Sequence, residues 1–266
     1  MDTLLVERRD GVVWLTLDRP EKKNAISNAM WHELIAVFDE VSASRDDRVL
    51  VVTGAGDAFC SGADLSGVRG GDPAIAAALS GPGGSLANMR LVGRCALRLH
   101  EVPKPTIAAV NGIAAGAGCN LALGCDLVIA SERARFSELF VHRGLSVDFG
   151  GSWLLPRLIG LHKAKELAFL GEIVDAREAE RIGIVNQVVP ADELAATVTR
   201  LADRLAHLPP LALSLTKRLL NQSFALAMNE ALDAEGIAQS LNSRSPDTME
   251  AMRAFLEKRE PVFTGE

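Results

Sequence analysis

Two glycine-rich turns, each closely following a short apolar run, constrain this chain more than any other feature. Val49-Leu50-Val51-Val52 precedes Phe59-Cys60-Ser61-Gly62-Ala63-Asp64, and Thr106-Ile107-Ala108-Ala109-Val110 precedes Asn111-Gly112-Ile113-Ala114-Ala115-Gly116-Ala117-Gly118-Cys119-Asn120. The apolar runs read as buried strands. The small residues after them let the main chain come close to a bound ligand. Two such turns are suited to presenting backbone N–H groups, and a pair of these makes an oxyanion hole, in which losing one donor typically costs about 2.7–4 kcal/mol of transition-state stabilisation. A glycine-rich turn taken alone is also an ordinary strand-to-helix connection.

The 266 residues suffice for one large core with an appendage, here residues 1–190 as the core and 191–266 as a helical oligomerisation region. With 48% hydrophobic and 23% charged residues, the composition is that of a globular chain without membrane spans. The start, Met1 to Glu7, lacks a basic leader, so a cytoplasmic location is expected. A net charge of −6 without a clustered basic face argues against nucleic acid as a partner. Cys60, Cys95, Cys119 and Cys125 have no metal-ligand spacing and read as core thiols, with neither disulfide nor metal expected. Tyrosine is absent, which removes the phenol from the possible acids and oxyanion donors.

Val12 to Leu17 reads as a strand, followed by a helix capped by Ser27, with Met30, Leu34, Val37, Phe38 and Val41 on its apolar stripe. Gly67 to Ser85 reads as a mobile loop or lid, and Ala87 to His100 as a helix ended by Val102-Pro103-Lys104-Pro105. A short helix is expected over Asn120–Gly124, with strands over Asp126–Ala130 and Val185–Val189. From Asp192 onward the pattern is helix after helix, the last starting at Ser245-Pro246 with Met249, Met252, Phe255 and Leu256 on one side. This order predicts an α/β chain of stacked strand-helix turns.

Five segments in order give the chain its resemblance to the crotonase superfamily, the enoyl-CoA hydratase/isomerase family. They are Arg19-Pro20 with Asn24-Ala25, Phe59 to Leu65, Asn111 to Asp126, Gly150-Gly151 before Leu155-Pro156-Arg157, and Phe255 to Arg259. The resemblance implies a crotonase-like spiral of ββα turns with a helical C-terminal trimerisation region, usually a homotrimer or a dimer of trimers. It implies an acyl-CoA substrate and no permanently bound cofactor, coenzyme A arriving as part of the substrate. The two oxyanion amides would be those of Ala63 and Ala117. Lys22, Lys23 and Ala25 would lie near the CoA nucleotide, with Ser61, Asp64 and Leu65 beside the pantetheine and thioester. Phe255 and Lys258 match positions that reach a neighbouring subunit's CoA.

Hydratases of the family use two glutamates, whose positions are taken here by Asn120 and Phe140. Neither exchanges a proton near neutral pH. Asp148, before Phe149-Gly150-Gly151, stands where some family isomerases carry a working aspartate, and with Trp153-Leu154-Leu155-Pro156-Arg157 the pattern most resembles the 1,2-epoxyphenylacetyl-CoA isomerase branch. One aspartate with an oxyanion hole suffices for an allylic shift, the economy exemplified by ketosteroid isomerase.

Asp148 also has a purely structural alternative as the cap of the following helix, a role that lowers a carboxyl pKa and weakens it as a base. Glu138 reads as a solvated loop residue or a second acid, and His142 as a surface residue or part of the site mouth. Asp64 reads chiefly as a brace for its loop. Ser61 lacks the Gly-x-Ser-x-Gly surroundings of a hydrolase nucleophile. The expected activity is a double-bond shift through a thioester enolate. The alternatives are a 2-enoyl-CoA hydratase using Glu138 and Asp148, a non-catalytic acyl-CoA binding subunit and, as a minor option, a thioesterase.

Overall fold

The structure, a computed structural model, describes residues 1–65 and 82–265. In chain order the elements are β1 (Leu4–Arg9), β2 (Val12–Leu17), α1 (Asn28–Ala43), β3 (Val49–Gly54), β4 (Ala58–Cys60), α2 (Pro82–Glu101), β5 (Thr106–Val110), β6 (Ile113–Ala115) and α3 (Ala117–Leu123). There follow β7 (Leu127–Ser131), β8 (Arg135–Ser137), α4 (Gly151–Leu170), β9 (Val174–Asp175), α5 (Ala176–Ile182), β10 (Gln187–Val189), α6 (Leu194–Ala206), α7 (Pro210–Gln222), α8 (Met228–Asn242) and α9 (Pro246–Glu257). The loop expected over Gly67–Ser85 lies outside the described residues up to position 81, and beyond it α2 has already begun at Pro82 rather than Ala87.

A six-stranded sheet runs β1-β2-β3-β5-β7-β10 and a four-stranded one β4-β6-β8-β9. Pairing is parallel except at β1–β2 and β8–β9. Successive units β3–β4–α2, β5–β6–α3 and β7–β8–α4 each give one strand to each sheet and then a helix. This is the spiral of ββα turns that the resemblance implies.

The alternation along β3 shows why its run is apolar on both faces. Leu50 and Val52 share a core with Met30, Leu34, Val37 and Phe38 of α1. Val49 and Val51 turn the other way, onto Leu194, Val198 and Ala202 of α6. Helix α6 therefore covers the large sheet, although it lies within the 191–266 region. Ser27 caps α1 by accepting a hydrogen bond from the Met30 N–H, as expected. Each fully buried Leu or Phe on its stripe contributes about 1.5–3 kcal/mol.

Several expected boundaries move. Helix α3 starts at Ala117, not Asn120, and so takes in the end of the second glycine turn. Strand β7 runs one residue later than expected, and β10 begins only at Gln187. The edge strand β1 gives no sequence signal, since only Leu4 at its start is buried and Glu7, Arg8 and Arg9 mask the alternation. The small sheet was hidden for a different reason. Its strands span two or three residues, too few for a period to emerge. No described helix is long and apolar enough to cross a membrane.

Candidate active site

Because β4 and β6 pair in parallel, with Ala58 opposite Ile113 and Cys60 opposite Ala114, the two glycine turns leave the small sheet side by side. Gly62 has φ +98°, and a Cβ placed on it would lie 2.9 Å from the Ala115 carbonyl oxygen and 3.7 Å from the Ala117 nitrogen. The turns are thus in direct contact, and glycine permits it.

Ala63 pairs with Ile26 in an isolated parallel bridge. The bridge uses the flanking groups: the Ile26 N–H donates to the Gly62 carbonyl at 2.8 Å and the Asp64 N–H to the Ile26 carbonyl at 2.9 Å. In extended chain the intervening amide points the opposite way. Ala63 itself is exposed, and among the described hydrogen bonds its N–H has no acceptor. Ala117 reaches the same condition by another route, as the first residue of α3, where a helix cannot supply an acceptor. Its neighbour Gly116 donates to the Ser137 carbonyl at 2.8 Å, whereas the Ala117 N–H has no described acceptor.

The loop over Arg19–Ile26 supports the first turn. Asn24, fully buried, donates from Nδ2 to the carbonyls of Ala55 and Ala58 at 2.9 and 2.8 Å and accepts the Arg19 N–H at 3.0 Å. Arg19 donates to the Ala25 carbonyl at 2.6 Å and pairs with Asp64 at 2.8 Å. Asp64 is accordingly a brace. The Ser61 N–H donates to the Lys23 carbonyl at 3.0 Å and the Ser61 hydroxyl to the Lys22 carbonyl at 3.2 Å. Lys22, Lys23, Ala25, Ser61, Asp64 and Leu65 are therefore brought together beside Ala63, with both lysines and Leu65 exposed. The motif segments point to Arg19 and Asn24, but their clamping role emerges only in three dimensions.

Asp148 does not cap α4. The N-cap position is Gly150, and no side chain caps the helix there. Phe149 and Gly150 both adopt positive φ, +49° and +82°, and the Phe149 ring stacks on Trp31 with centroids 5.5 Å apart. Among the described atoms, Asp148 Oδ1 is buried without a hydrogen-bond partner, and burial pushes the carboxyl up to about 6. Its main-chain carbonyl is held at both sides, by the Asn120 Nδ2 at 3.0 Å and the Gly151 N–H at 2.9 Å.

Glu138 is 2% exposed, which corrects its reading as a solvated loop residue. Burial pushes its carboxyl up to about 7, helped by the Asp148 charge and opposed by hydrogen bonds from Cys119 and Asn120. An acid set within Phe136-Ser137-Glu138-Leu139-Phe140 is the signal that reveals it. His142 is exposed and abuts Gly171 at the C-terminal end of α4. The Phe140 ring lies 3.6 Å from where a Gly116 Cβ would stand, so an aromatic edge flanks the second turn.

Beyond Phe149 and Gly150 opens an apolar cavity of about 790 Å³, bounded also by Leu97, His100, Trp153 and Leu154. Phe255 and Lys258 lie elsewhere, at the end of α9. Phe255 is 83% exposed and lines a groove with Leu211, Met252 and Phe263, while Lys258 closes the helix in a left-handed conformation. No described hydrogen bond or ion pair joins them to the glycine turns.

Comparison with known proteins places the whole chain in one family. A family model described as enoyl-CoA hydratase/isomerase matches residues 7–266. The chain is 41% identical to the 1,2-epoxyphenylacetyl-CoA isomerase of Escherichia coli K12, over 100% of this chain and 99% of that protein. It is 36% identical to the 2,3-dehydroadipyl-CoA hydratase of the same organism, over the full length of both. The crystal structure of an enoyl-CoA hydratase from Bacillus anthracis superposes with a TM-score of 0.92 at 32% identity, covering 99% of this chain and 100% of the other. Spiral, adjoining turns and full-length similarity lead to one conclusion: this chain belongs to the enoyl-CoA hydratase/isomerase family.

Proposed function

We propose that this chain shifts a double bond in an acyl-CoA thioester by proton transfer through an enolate. The observation that carries the reading is the pair of N–H groups, on Ala63 and Ala117, without acceptors among the described residues, together with the uncapped, partly buried carboxyl of Asp148. A 3-enoyl-CoA would bind with its thioester oxygen accepting both N–H groups. Asp148 takes a proton from the α carbon, and the electron pair of that C–H bond spreads over the enolate and the adjoining double bond. The same carboxyl then returns the proton to the γ carbon, leaving a 2-enoyl-CoA. Dispersal of negative charge onto the oxygen is where two fixed donors act most strongly.

Lys22 and Lys23 would meet the CoA phosphates, and Ser61, Asp64 and Leu65 would flank the pantetheine. The cavity beyond Phe149 has a volume suited to an acyl group. No resident cofactor is required, since coenzyme A arrives with the substrate. In this reading residues 1–190 with α6 form the catalytic body, and the later helices join subunits in a trimer or a dimer of trimers. Four buried free thiols fit a reducing cytoplasm.

Glu138 supports a second reading, hydration of a 2-enoyl-CoA by two carboxyls. Incubation with 3-enoyl- and 2-enoyl-CoA in ¹⁸O-labelled water separates the two. Isomerisation moves the double bond and leaves the acyl group free of label. A 3-hydroxyacyl product carrying solvent oxygen overturns it in favour of hydration. Saturable binding with neither product leaves only a binding subunit.

A further inference from the structure

Asn120 and Glu138 are buried side chains that touch one another beside the candidate base. Asn120 is fully buried, three residues after Ala117 on α3 and hence about 4.5 Å further along the helix axis. Its Nδ2 donates to two acceptors, Oε2 of Glu138 at 3.2 Å and the main-chain carbonyl of Asp148 at 3.0 Å. A Cβ on Gly151 would lie only 2.5 Å from that Nδ2, so the amide is wedged against the first residue of α4. One primary amide has two hydrogens to give, and both are used. On the other side, the strand leading to Glu138 anchors the second glycine turn through the Ser137 carbonyl and the Gly116 N–H at 2.8 Å. Glu138 thus sits where the Ala117 turn and the Asp148 loop are joined.

We propose that Glu138 is a positioning residue: by accepting one Nδ2 hydrogen of Asn120 it directs the other to the Asp148 carbonyl, and so fixes the Asp148 carboxyl relative to the N–H groups of Ala63 and Ala117. The inference rests on the proposed role of Asp148 as the base. Glu138 itself does not exchange a proton with substrate. What it supplies is an oxygen acceptor at a set distance. A displacement of about 1 Å at a reacting group can cost on the order of 10²-fold in rate.

The test uses the full-length protein and a 3-enoyl-CoA, with kcat and KM measured separately. Glu138→Gln keeps an acceptor for Asn120 and retains kcat within about threefold of wild type, whereas Glu138→Leu lowers kcat by about 10²-fold with KM unchanged. Glu138→Asp, which withdraws the acceptor by one methylene and retains polarity, shows the same selective loss in kcat and serves if the leucine variant does not fold. Asn120→Ala combined with Glu138→Asp loses no more than Asn120→Ala alone. Wild-type kcat in a folded leucine or aspartate variant, or losses that multiply in the double variant, overturns the proposal. So does a glutamine variant as impaired as the others, which would make Glu138 a proton-transferring group. Asp148→Asn, assayed alongside, tests the base separately: wild-type turnover there defeats the base assignment, whereas an inactive Asp148→Asn with an unaffected folded Glu138→Leu defeats only the positioning role.

Discussion

Asn120 Nδ2 lies 3.0 Å from the main-chain carbonyl oxygen of Asp148, linking the helix that begins at Ala117 to the loop that carries the candidate base. The candidate donor Ala117 and the candidate base are therefore placed by one small, buried set of contacts, while the Asp148 carboxyl is left without a capping duty. This separation of main-chain anchoring from side-chain chemistry lets an aspartate beside a helix start retain basicity that a capping aspartate gives up.

The pH dependence of turnover follows from that environment. Burial holds Asp148 up to about 6, favouring the neutral form, and only the ionised form is a base. The rate on a 3-enoyl-CoA is thus expected to be level at high pH and to fall through pH 6, approaching about tenfold per unit below it. A rate profile between pH 5 and pH 8 checks this.

Stability carries the signature of Glu138. Its folded-state pKa of about 7 exceeds the ordinary 4.5, so the native chain holds this proton more tightly than the unfolded chain. The associated stabilisation is complete below pH 4.5 and is lost as pH rises to 7. Glu138→Gln removes the cost of a buried charge, so its Tm relative to wild type is expected to rise across that interval. Thermal melts at matched ionic strength measure it.

Asn24 offers a test of the supporting loop. Replacing it with Ala removes two hydrogen bonds to the carbonyls of Ala55 and Ala58 and one from Arg19, and puts Ala at φ +55°. The expected loss is about 2–4 kcal/mol in urea denaturation.

Much of the spiral was legible because its long elements repeat a pattern many times. Helix α1 shows its stripe over four turns, and β3 combines apolar residues on both faces with β-branched side chains. Strands β4, β6 and β8 offer three residues each, and what assigns them is pairing with distant chain. Asp148 posed a different difficulty, since aspartate before Phe-Gly-Gly fits a cap and a base equally well. Positive φ at Phe149 and Gly150 moves the helix start beyond it and removes the capping alternative. Glu138 reads as solvated because it stands just past β8, a strand too short to show a period, so the local pattern does not reveal that its acid is buried.

The C-terminal helices make a further prediction. Phe255 and Leu256 are 83% and 80% exposed in the single chain, an apolar edge suited to subunit contact. Leu256→Asp places a charge there and is expected to convert an assembled species to monomer in sedimentation velocity, with secondary structure unchanged. An unaltered sedimentation coefficient refutes the assignment of this face.

The account depends most on Asp148 as the sole proton carrier between the α and γ carbons. Its direct test is Asp148→Asn, assayed with a 3-enoyl-CoA, together with the affinity for a saturated acyl-CoA. The account predicts a loss of at least about 10²-fold in turnover, the typical contribution of a general base, with acyl-CoA affinity unchanged. Turnover at the wild-type rate would contradict it.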